Sequence, residues 1–282
     1  MPPPLRLGLD IGGTRVKAAV VAADGSARTG KSEKYKRPDR TRLLRAIGEA
    51  LPDHDPTLVA CTGICCPGLV EDGRVVASVN VPGLCGSTLG SLVADATGSA
   101  SPVTRATDAF ATTVDAAARL GLVGRVMLLA VGTGVGACVI DRADKADLGT
   151  PLRVDGDSPG HFGQLDVRLG DDPPLGPDGG AGGLEAYLST RAIRGTRPEF
   201  LGDDHDAIRA LVRALRIGHA LYRPHHLVLA GGVGVRLSHL HDEIKREVGR
   251  DLTGIARAGW TLSYGVDDYH AARGAARLAA TV

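Results

Sequence analysis

One segment near the start of the chain has the spacing of a nucleotide-binding loop. GSARTGKS, residues 25–32, places two glycines five positions apart and follows the second with Lys31 and Ser32. In such a loop, backbone N–H groups and the lysine surround the phosphates of a nucleotide, and the serine hydroxyl binds Mg²⁺. This chemistry requires a buried strand before the loop and a helix that begins at the lysine and serine.

The residues after GSARTGKS do not predict that helix. They are crowded with charges, and Pro38 follows Ser32 by six positions. The periodic apolar residues of a helix begin only in DRTRLLRAIGEAL, residues 39–51. We therefore interpret residues 24–38 as a turn and a polar edge strand, with Lys31 on the solvated surface. A phosphate-binding loop that uses Lys31 is the weakest of three hypotheses, because no later apolar strand ends in an Asp that could help to hold magnesium.

Two other glycine segments repeat one design. Residues 5–22 and 125–141 each contain an apolar run, a short turn of glycine and threonine, and a second apolar run. Both predict a strand, a tight turn and a strand. We expect the glycines to supply positive φ and to let backbone N–H groups approach an anion. Two copies about half a chain apart predict duplicated lobes that face each other across a cleft.

The composition limits the classes of function. The chain has 282 residues, with 33 basic and 32 acidic side chains, 43% hydrophobic residues and 3% aromatic ones. This balance gives no electrostatic basis for binding nucleic acid or a membrane surface. No secretory signal or membrane-length apolar run is visible, so we expect a soluble cytoplasmic protein. We expect the cysteines to be buried and reduced, since none forms a CxxC pair: Cys61, Cys65, Cys66, Cys85 and Cys138.

Predicted strands alternate with predicted helices along the chain, which favours α/β layers around buried sheets. A loop-rich stretch covers residues 142–182. The remaining elements are a strand in 57–70, helices in 90–98, 108–121, 182–195 and 203–224, a strand with a glycine turn in 225–234, and a helix in 268–282.

Taken in order, these segments resemble the ROK family of sugar kinases and sugar-responsive repressors, which belongs to the actin-like ATPase superfamily. LGLDIGGTRVKAAVV and VGTGVGACVI resemble the family's two phosphate motifs, and LVLAGGV resembles its adenosine motif. GICCPGLVEDGRV, NVPG, TDAFATTVDAA and GGLEAYLS resemble further family segments, and the order covers nearly the whole chain.

The resemblance implies a two-lobe α/β fold of the actin-like ATPase (ribonuclease H-like) type with a central cleft. The implied small lobe is 1–107, completed by the helix 268–282, and the implied large lobe is 108–267. The repressor branch carries an N-terminal helix-turn-helix domain. Because the first phosphate motif begins almost at residue 1 here, we expect no such DNA reader.

The resemblance also implies ATP and Mg²⁺ as cofactors. Asp108 corresponds to the catalytic carboxylate of the family's Asn-Asp-Ala motif, and it could instead be a helix N-cap. Asp10 would hold Mg²⁺ through water, or it could serve as a cap. The two glycine turns would bind phosphate, unless they are plain hairpin turns. The implied nucleotide contacts are Gly12, Gly13, Thr14, Gly132, Thr133 and Gly134 for phosphate, and Gly231 and Gly232 for adenosine.

The implied sugar-binding residues depart from the family pattern. Thr107 stands where the family has Asn, and in GHFGQ we align His161 with the family glutamate and Gln164 with its histidine. A shifted alignment would keep the histidine but place Ser158 at the glutamate. Glu185 resembles a family sugar ligand, although it could instead compensate the dipole at a helix start. The full implied set is Gly68, Asn80, Thr107, His161, Gln164 and Glu185.

The family's zinc segment aligns with PLGPDGGAGGLEA, which contains no cysteine. A tetrahedral zinc site needs soft, closely spaced ligands, so we expect no zinc. The sequence therefore predicts an ATP-dependent kinase for a sugar or sugar-like polyol, with an altered sugar pocket and a homodimeric assembly as is usual for the family. The second hypothesis is a non-catalytic sugar or nucleotide sensor with the same fold.

Overall fold

The computed structural model describes residues 4–78, 80–153, 160–176, 179–250 and 252–280. The chain divides into two compact units. The N-terminal unit is Met1–Asp115 with Tyr269–Val282, and the C-terminal unit is Ala116–Asp268. Ser158, which the alternative alignment would use, lies outside the described residues.

The strands are β1 (Leu5–Ile11), β2 (Val16–Val21), β3 (Ala27–Lys31), β4 (Val59–Cys65), β5 (Leu69–Glu71), β6 (Arg74–Ala77), β7 (Val103–Ala106), β8 (Gly124–Val131), β9 (Val135–Arg142), β10 (Thr150–Pro151), β11 (His226–Ala230) and β12 (Thr261–Tyr264). The helices are α1 (Arg40–Ala50), α2 (Leu89–Thr97), α3 (Asp108–Arg119), α4 (Leu184–Tyr187), α5 (Asp206–Tyr222), α6 (Gly231–Gly234), α7 (His241–Arg250) and α8 (His270–Ala279).

The N-terminal unit is built on a five-stranded sheet of order β3-β2-β1-β4-β7. Strands β1, β2 and β3 are antiparallel neighbours, whereas β4 runs parallel to β1 and β7 runs parallel to β4. The central strands are buried apolar runs, and β3 is the exposed edge predicted from its charges. The carboxyl ends of β1, β4 and β7 therefore meet at one edge of the sheet.

Helix α8 packs unusually close to this sheet because glycines face it. A Cβ atom at Gly8 of β1 would lie 1.8 Å from the Ala272 carbonyl oxygen, and one at Gly63 of β4 would lie 1.9 Å from that of Ala275. Only glycine at both positions permits this approach. The alanine-rich sequence of α8 matches it, since small side chains let the helix backbone reach the strands.

The C-terminal unit repeats the strand arrangement. Its sheet has the order β10-β9-β8-β11-β12, with β8, β9 and β10 antiparallel and with β11 parallel to both β8 and β12. Each unit therefore has a hairpin at the centre, a third antiparallel strand outside it, and two parallel strands on the other side. Each also has its own apolar core. The predicted α/β class and the duplication are confirmed.

The structure excludes a phosphate-binding loop at GSARTGKS. Lys31 is the last residue of the edge strand β3, and the next helix, α1, begins only at Arg40. Asp39 caps this helix by accepting a hydrogen bond from the N–H of Arg42 at 2.8 Å. Ser32 is buried, and its hydroxyl accepts from the N–H of Val16 at 3.0 Å.

Several predicted elements need correction. The helix predicted over residues 182–195 is only the four residues of α4, and turns follow it because Ser189, Thr190 and Gly195 favour them. The predicted glycine turn after β11 is the start of helix α6. Glycines 12, 13, 132 and 134 do not have the positive φ expected of them.

The prediction that the cysteines are buried holds only in part. All five are free. Cys65 and Cys138 are buried in β4 and β9, whereas Cys61 and Cys66 are half-buried. Cys85 is exposed, directly after the short helical turn Pro82–Leu84. Within the described residues, no helix is long and apolar enough to span a bilayer.

Candidate functional site

Two carboxylates lie at the edge where the parallel strands of the N-terminal unit end. Asp10 is near the end of β1 and pairs in register with Cys65 of β4, which pairs with Ala106 at the end of β7. Asp108 begins α3 two residues after Ala106. In sheets of this kind, ligands bind beyond the carboxyl ends of the strands.

The two carboxylates influence each other. Burial raises the pKa of Asp10 to about 6, the charge of Lys17 opposes this shift, and the nearby charge of Asp108 adds to it. Asp108 itself is exposed. Burial and the charge of Asp108 outweigh the charge of Lys17 at this half-buried carboxyl, which makes this edge a candidate for cation binding.

Thr107 performs the capping role considered for Asp108. Its Oγ1 accepts a hydrogen bond from the N–H of Phe110 at 3.3 Å, three residues ahead, as an N-cap side chain does. The Oδ1 atom of Asp108 accepts from the N–H of Ala109 at 2.7 Å. The carboxylate of Asp108 is therefore fixed by one oxygen at an exposed helix start.

The first glycine turn joins β1 and β2 and presents backbone donors. The Gly12 N–H donates to the Arg15 carbonyl oxygen at 3.1 Å. The N–H groups of Gly13 and Thr14 make no hydrogen bond within the described part of the chain. Two adjacent unpaired N–H groups in an exposed turn are suited to bind an oxyanion.

Tyr35 braces this turn and was missed by the sequence interpretation. Its hydroxyl donates to the Gly12 carbonyl oxygen at 2.6 Å, and its N–H donates to the Thr14 carbonyl oxygen at 2.8 Å. Burial and the charge of Asp10 raise the pKa of Tyr35 above its usual value, so it remains a donor. The available signal was a single aromatic residue inside the charged segment SEKYKRP.

Asn80 and Gly68 occupy different surroundings in the same unit. A Cβ atom at Gly13 would lie 3.3 Å from the Cβ of Asn80, so the exposed Asn80 stands beside the first turn. Gly68 has φ of +119°, and a Cβ there would lie 2.3 Å from the Ala77 carbonyl oxygen. The backbone alone therefore requires glycine at position 68.

The second glycine turn joins β8 and β9 in the C-terminal unit and has the same pattern. The Gly132 N–H donates to the Gly134 carbonyl oxygen at 2.9 Å. The Gly132 carbonyl oxygen accepts from the N–H of Thr190 at 2.8 Å and from its hydroxyl at 2.9 Å. In the described residues, the N–H groups of Thr133 and Gly134 have no partner. This turn is therefore a second candidate oxyanion site.

Glu185 supports the second turn from α4. Its Oε2 accepts a hydrogen bond from the Val135 N–H at 3.0 Å. Cβ atoms at Gly134 and Gly163 would lie 2.8 and 3.2 Å from the same oxygen. Glycine at both positions lets the carboxylate sit between the hairpin turn and the helical turn Phe162–Gln164.

His161 and Gln164 stand at the two ends of this helical turn. Both side chains are exposed, and the Gln164 N–H donates to the His161 carbonyl oxygen at 2.9 Å. Because Glu185 packs at Gly163 between them, the three predicted sugar ligands of the C-terminal unit lie near one another and near the second turn. All three remain predictions as sugar contacts.

Gly231 and Gly232 begin α6 directly after β11. Gly231 has φ of +79°, and a Cβ there would lie 2.5 Å from the Val131 carbonyl oxygen. This position requires glycine so that the start of α6 can lie against the end of β8. A Cβ at Gly232 would have only Asp268 nearby, with its Oδ1 at 3.9 Å, so this backbone is open enough for a ligand to approach.

The sequence of this chain matches the model of the ROK family over residues 6–199, which is more than half of its length. The chain belongs to the ROK family. No curated protein matches the sequence significantly.

Solved structures of ROK proteins share the fold. A glucokinase from Streptomyces griseus, solved with glucose and AMPPNP, superposes with a TM-score of 0.71 at 23% identity, covering 99% of this chain and 100% of that one. A hexokinase from Thermus thermophilus has a TM-score of 0.67 at 23% identity, covering 98% of both chains. A ROK transcriptional regulator, a homologue of the E. coli MLC protein, has a TM-score of 0.73 at 20% identity, covering 98% of this chain and 78% of that one. The similarity establishes the actin-like fold.

The predicted site residues of this ROK protein form one group in each unit. The N-terminal unit holds Asp10, Gly12, Gly13, Thr14, Gly68, Asn80, Thr107 and Asp108, and all but Gly68 lie at the strand ends or beside the first turn. The C-terminal unit holds Gly132, Thr133, Gly134, His161, Gln164, Glu185, Gly231 and Gly232.

No group of three or more His, Cys, Asp or Glu side chains could hold a metal within the residues described. The segment that aligns with the zinc motif, residues 174–186, includes 177–178, which lie outside them. The expected lack of zinc therefore remains a prediction.

Proposed function

We propose that this ROK protein transfers the γ-phosphoryl group of ATP to a hydroxyl of a sugar or sugar-like polyol, with Asp108 as the general base. The observation that carries the proposal is the pair of carboxylates at the carboxyl ends of β1 and β7. Thr107 caps α3, so Asp108 can serve chemistry while the helix end stays satisfied. The glucose and AMPPNP bound by the Streptomyces relative support the substrate and donor classes.

In the proposed reaction, Asp108 accepts the proton of the attacking hydroxyl. The hydroxyl oxygen forms a bond to the γ-phosphorus, the bond between that phosphorus and the ADP oxygen breaks, and ADP departs. Positioned proton transfer of this kind contributes about 10²–10⁴ in rate. Phosphoryl transfer otherwise depends on fixing and neutralising the phosphates. The unpaired N–H groups of Gly13, Thr14, Thr133 and Gly134 are the donors that we assign to them.

The residues at the strand ends fit Mg²⁺. Oxygen ligands suit this ion, and Asp10 would hold it through water. The raised pKa of Asp10 indicates that the charge of Lys17 does not fully offset burial and the charge of Asp108, and a divalent ion would offset them further. Bound there, Mg²⁺ would neutralise charge on the phosphates.

We assign the sugar to Asn80, Thr107, His161, Gln164 and Glu185. The Thr107 hydroxyl oxygen already accepts a bond from Phe110, and Glu185 Oε2 already accepts one from Val135. Each retains further hydrogen-bonding capacity for a sugar hydroxyl. Three of these residues, Thr107, His161 and Gln164, differ from the family pattern. A pocket rejects a substrate that leaves its polar groups unpaired, so we do not assign glucose.

The second candidate function is a sensor that binds sugar or nucleotide without turnover. The departures at Thr107, His161 and Gln164 favour it, because they change the residues next to the proposed base and around the sugar. A panel of hexoses, amino sugars and polyols, assayed for ADP release with ATP and Mg²⁺, separates the two functions. Turnover with any member supports the kinase, whereas binding without ADP release supports the sensor.

The test of the mechanism is Asp108→Asn. We expect kcat to fall by about 10² or more, with ATP affinity nearly unchanged. Asp95→Asn, which alters an exposed ion pair between α1 and α2, is the matched control and should leave kcat unchanged. If Asp108→Asn unfolds the protein while turnover per folded molecule stays normal, Asp108 has a structural role only.

We also propose that the protein acts in the cytoplasm as a homodimer. The proposal rests on the ROK family membership. Sedimentation equilibrium that gives the monomer mass at working concentrations would refute the dimer.

A further inference from the structure

The C-terminal unit has a cavity whose lining contains none of the residues assigned to sugar or nucleotide. It has a volume of about 980 Å³ and lies between α5, α7 and the segment 252–256. Cavities of about 300–1,000 Å³ are typical of small-molecule sites.

A buried histidine of α5 lines this cavity. His219 is fully buried, and neither of its ring nitrogens has a hydrogen-bond partner in the described part of the chain. Burial, together with the charges of Arg257 and Arg223, lowers the pKa of His219, which keeps the imidazole neutral at neutral pH. A neutral imidazole has one donor and one acceptor, and buried groups of this kind normally have partners.

Arginines of α5 line one side of the cavity. Arg209, Arg213 and Arg216 follow one another at helical spacing, so they share a face. Arg209 donates from Nη1 to Asp206 Oδ1 at 3.1 Å, and Arg213 donates from Nη1 to the Arg168 carbonyl oxygen at 2.7 Å. A guanidinium has five N–H donors, so both retain capacity for an oxyanion.

Acidic residues also line the cavity, and two of them are paired with arginines. Glu247 contacts Arg250 at 2.7 Å, and Asp203 contacts Arg246 at 3.8 Å. Asp204 and Glu243 also line the cavity. Pairing reduces the repulsion that Glu247 and Asp203 would exert on an anion near the α5 arginines.

Apolar side chains complete the lining. Ile208, Ile244 and Leu252 contribute to it, and Ile255 stands at the rim with 79% of its surface exposed. A ligand that covers so exposed an isoleucine removes apolar surface from water, which favours binding. The cavity thus offers apolar contact, arginine donors and an unsatisfied imidazole together.

We propose that this cavity binds a small organic anion, in which an apolar body carries a carboxylate or phosphate group. The arginines of α5 bind the oxyanion, the isoleucines and Leu252 cover the apolar body, and a hydroxyl or carbonyl group of the ligand satisfies His219. This binding site goes beyond the proposed kinase function and does not depend on it.

The single tryptophan of the chain reports on the cavity. Trp260 lies edge-on to His219, with ring centroids 5.5 Å apart. We would titrate the full-length protein with phenyl phosphate and with benzoate, using inorganic phosphate and benzyl alcohol as half-ligands. We expect a saturable change in Trp260 fluorescence for at least one of the two anions. It should bind at least about tenfold more tightly than either half-ligand, since each part adds about 1.4 kcal/mol or more. The better anion indicates the class of ligand.

Variants test the assignment by calorimetry. Arg213→Gln and Arg216→Gln should each lower the affinity for that anion by about tenfold, as expected for the loss of a charged hydrogen bond. His219→Leu removes the imidazole, and His219→Gln keeps hydrogen-bonding capacity if the leucine variant does not fold. Arg28→Gln, on the edge strand of the other unit, is the matched control and should bind normally.

Three results would overturn the proposal. The first is the absence of saturable binding of either anion at millimolar concentration. The second is an equal loss of affinity in Arg28→Gln and Arg213→Gln. The third is a Trp260 signal that follows protein concentration without ligand, together with self-association in sedimentation, which would make this face a contact between copies of the chain.

Discussion

The aspartate near the middle of α3 should be the most sensitive single position for the stability of the N-terminal unit. Asp115 is fully buried, and its Oδ2 contacts His270 Nδ1 at 2.7 Å and Arg273 Nε at 2.8 Å. Its Oδ1 accepts from Arg277 Nε at 2.9 Å. These bonds join α3, which begins at Asp108, to α8. The perturbation is Asp115→Asn, which keeps the shape and removes the charge.

The expected cost follows from burial. Removing one member of a buried ion pair costs about 3–5 kcal/mol, because the remaining charge is left without its partner in a low dielectric. Arg273 is buried, so the loss of the Asp115 charge costs more there than at Arg277, which is partly exposed. We therefore expect about 3–5 kcal/mol, a large fraction of the 5–15 kcal/mol that is typical of a folded domain.

The exposed ion pair between Arg40 and Asp95 provides the control. It lies in the same unit at 2.6 Å, with side chains 41% and 52% exposed. Surface pairs of this kind contribute about 0–1 kcal/mol. Asp95→Asn should therefore change the free energy of unfolding by less than about 1 kcal/mol.

The effect of Asp115→Asn should depend on pH in one direction. Burial alone would raise the pKa of Asp115, but the hydrogen bond from His270 and the arginine charges lower it below its usual value of 3.8. A carboxyl with a lowered pKa stabilises the folded state fully above its unfolded pKa and loses this contribution as the pH falls through its folded pKa. The difference between wild type and Asp115→Asn should thus shrink as the pH falls below 3.8.

Urea unfolding followed by far-ultraviolet circular dichroism measures these differences at several pH values. Trp260 lies in the C-terminal unit, so its fluorescence follows that unit separately. A cost for Asp115→Asn no larger than that for Asp95→Asn would refute the reasoning. A difference that grows as the pH falls below 3.8 would refute the sign of the pKa shift.

Four further predictions concern nucleotide binding, the charge of Asp10 and zinc. Lys31→Ala should change ATP affinity by less than about twofold, because a solvated lysine contributes little. Gly132→Val should fold, since nothing lies within 4 Å of a Cβ there, but its side chain should block the approach of phosphate to the turn and weaken ATP binding severely. Calorimetric titration of both variants decides between the two sites. Because the raised pKa of Asp10 makes stability fall as the pH rises from about 4 to about 6, Asp10→Asn should melt at a higher temperature than wild type at neutral pH and bind Mg²⁺-ATP less tightly. Elemental analysis should find no stoichiometric zinc, and chelators should leave Tm unchanged; one tightly bound zinc per chain would contradict the alignment of residues 174–186.

The hairpins and the edge strand could be predicted because local signals determine them. Two apolar runs with glycine and threonine between them leave little alternative to a strand, a turn and a strand. The charges of β3 similarly predict an edge position, since a central strand would bury them. Apolar spacing predicts helix α1, which is also a local pattern.

The details of the site could not be predicted because tertiary contacts decide them. Gly134 is needed to make room for Glu185, and no neighbour in sequence reveals this. Tyr35 reaches Gly12 across 23 positions. Thr107, and not Asp108, caps helix α3, which the sequence TDA permits but does not require. Helix α4 ends after four residues although its pattern continues, since a weak propensity does not extend a helix that lacks further packing.

GSARTGKS and the two glycine hairpin turns differ in whether their backbone N–H groups are already hydrogen-bonded within the protein. In GSARTGKS, Gly30 and Lys31 lie in a strand paired with β2, and the Ser32 N–H donates to the Val16 carbonyl oxygen at 2.9 Å. These residues belong to the sheet edge. The segment therefore has the residue spacing of a nucleotide-binding loop but does not form the loop that binds phosphate. In the hairpin turns at residues 12–14 and 132–134, two consecutive N–H groups are left unpaired among the described residues, and neighbouring side chains hold each turn in place. An anion needs adjacent donors that the fold has not used, and each hairpin turn keeps such a pair within the described residues.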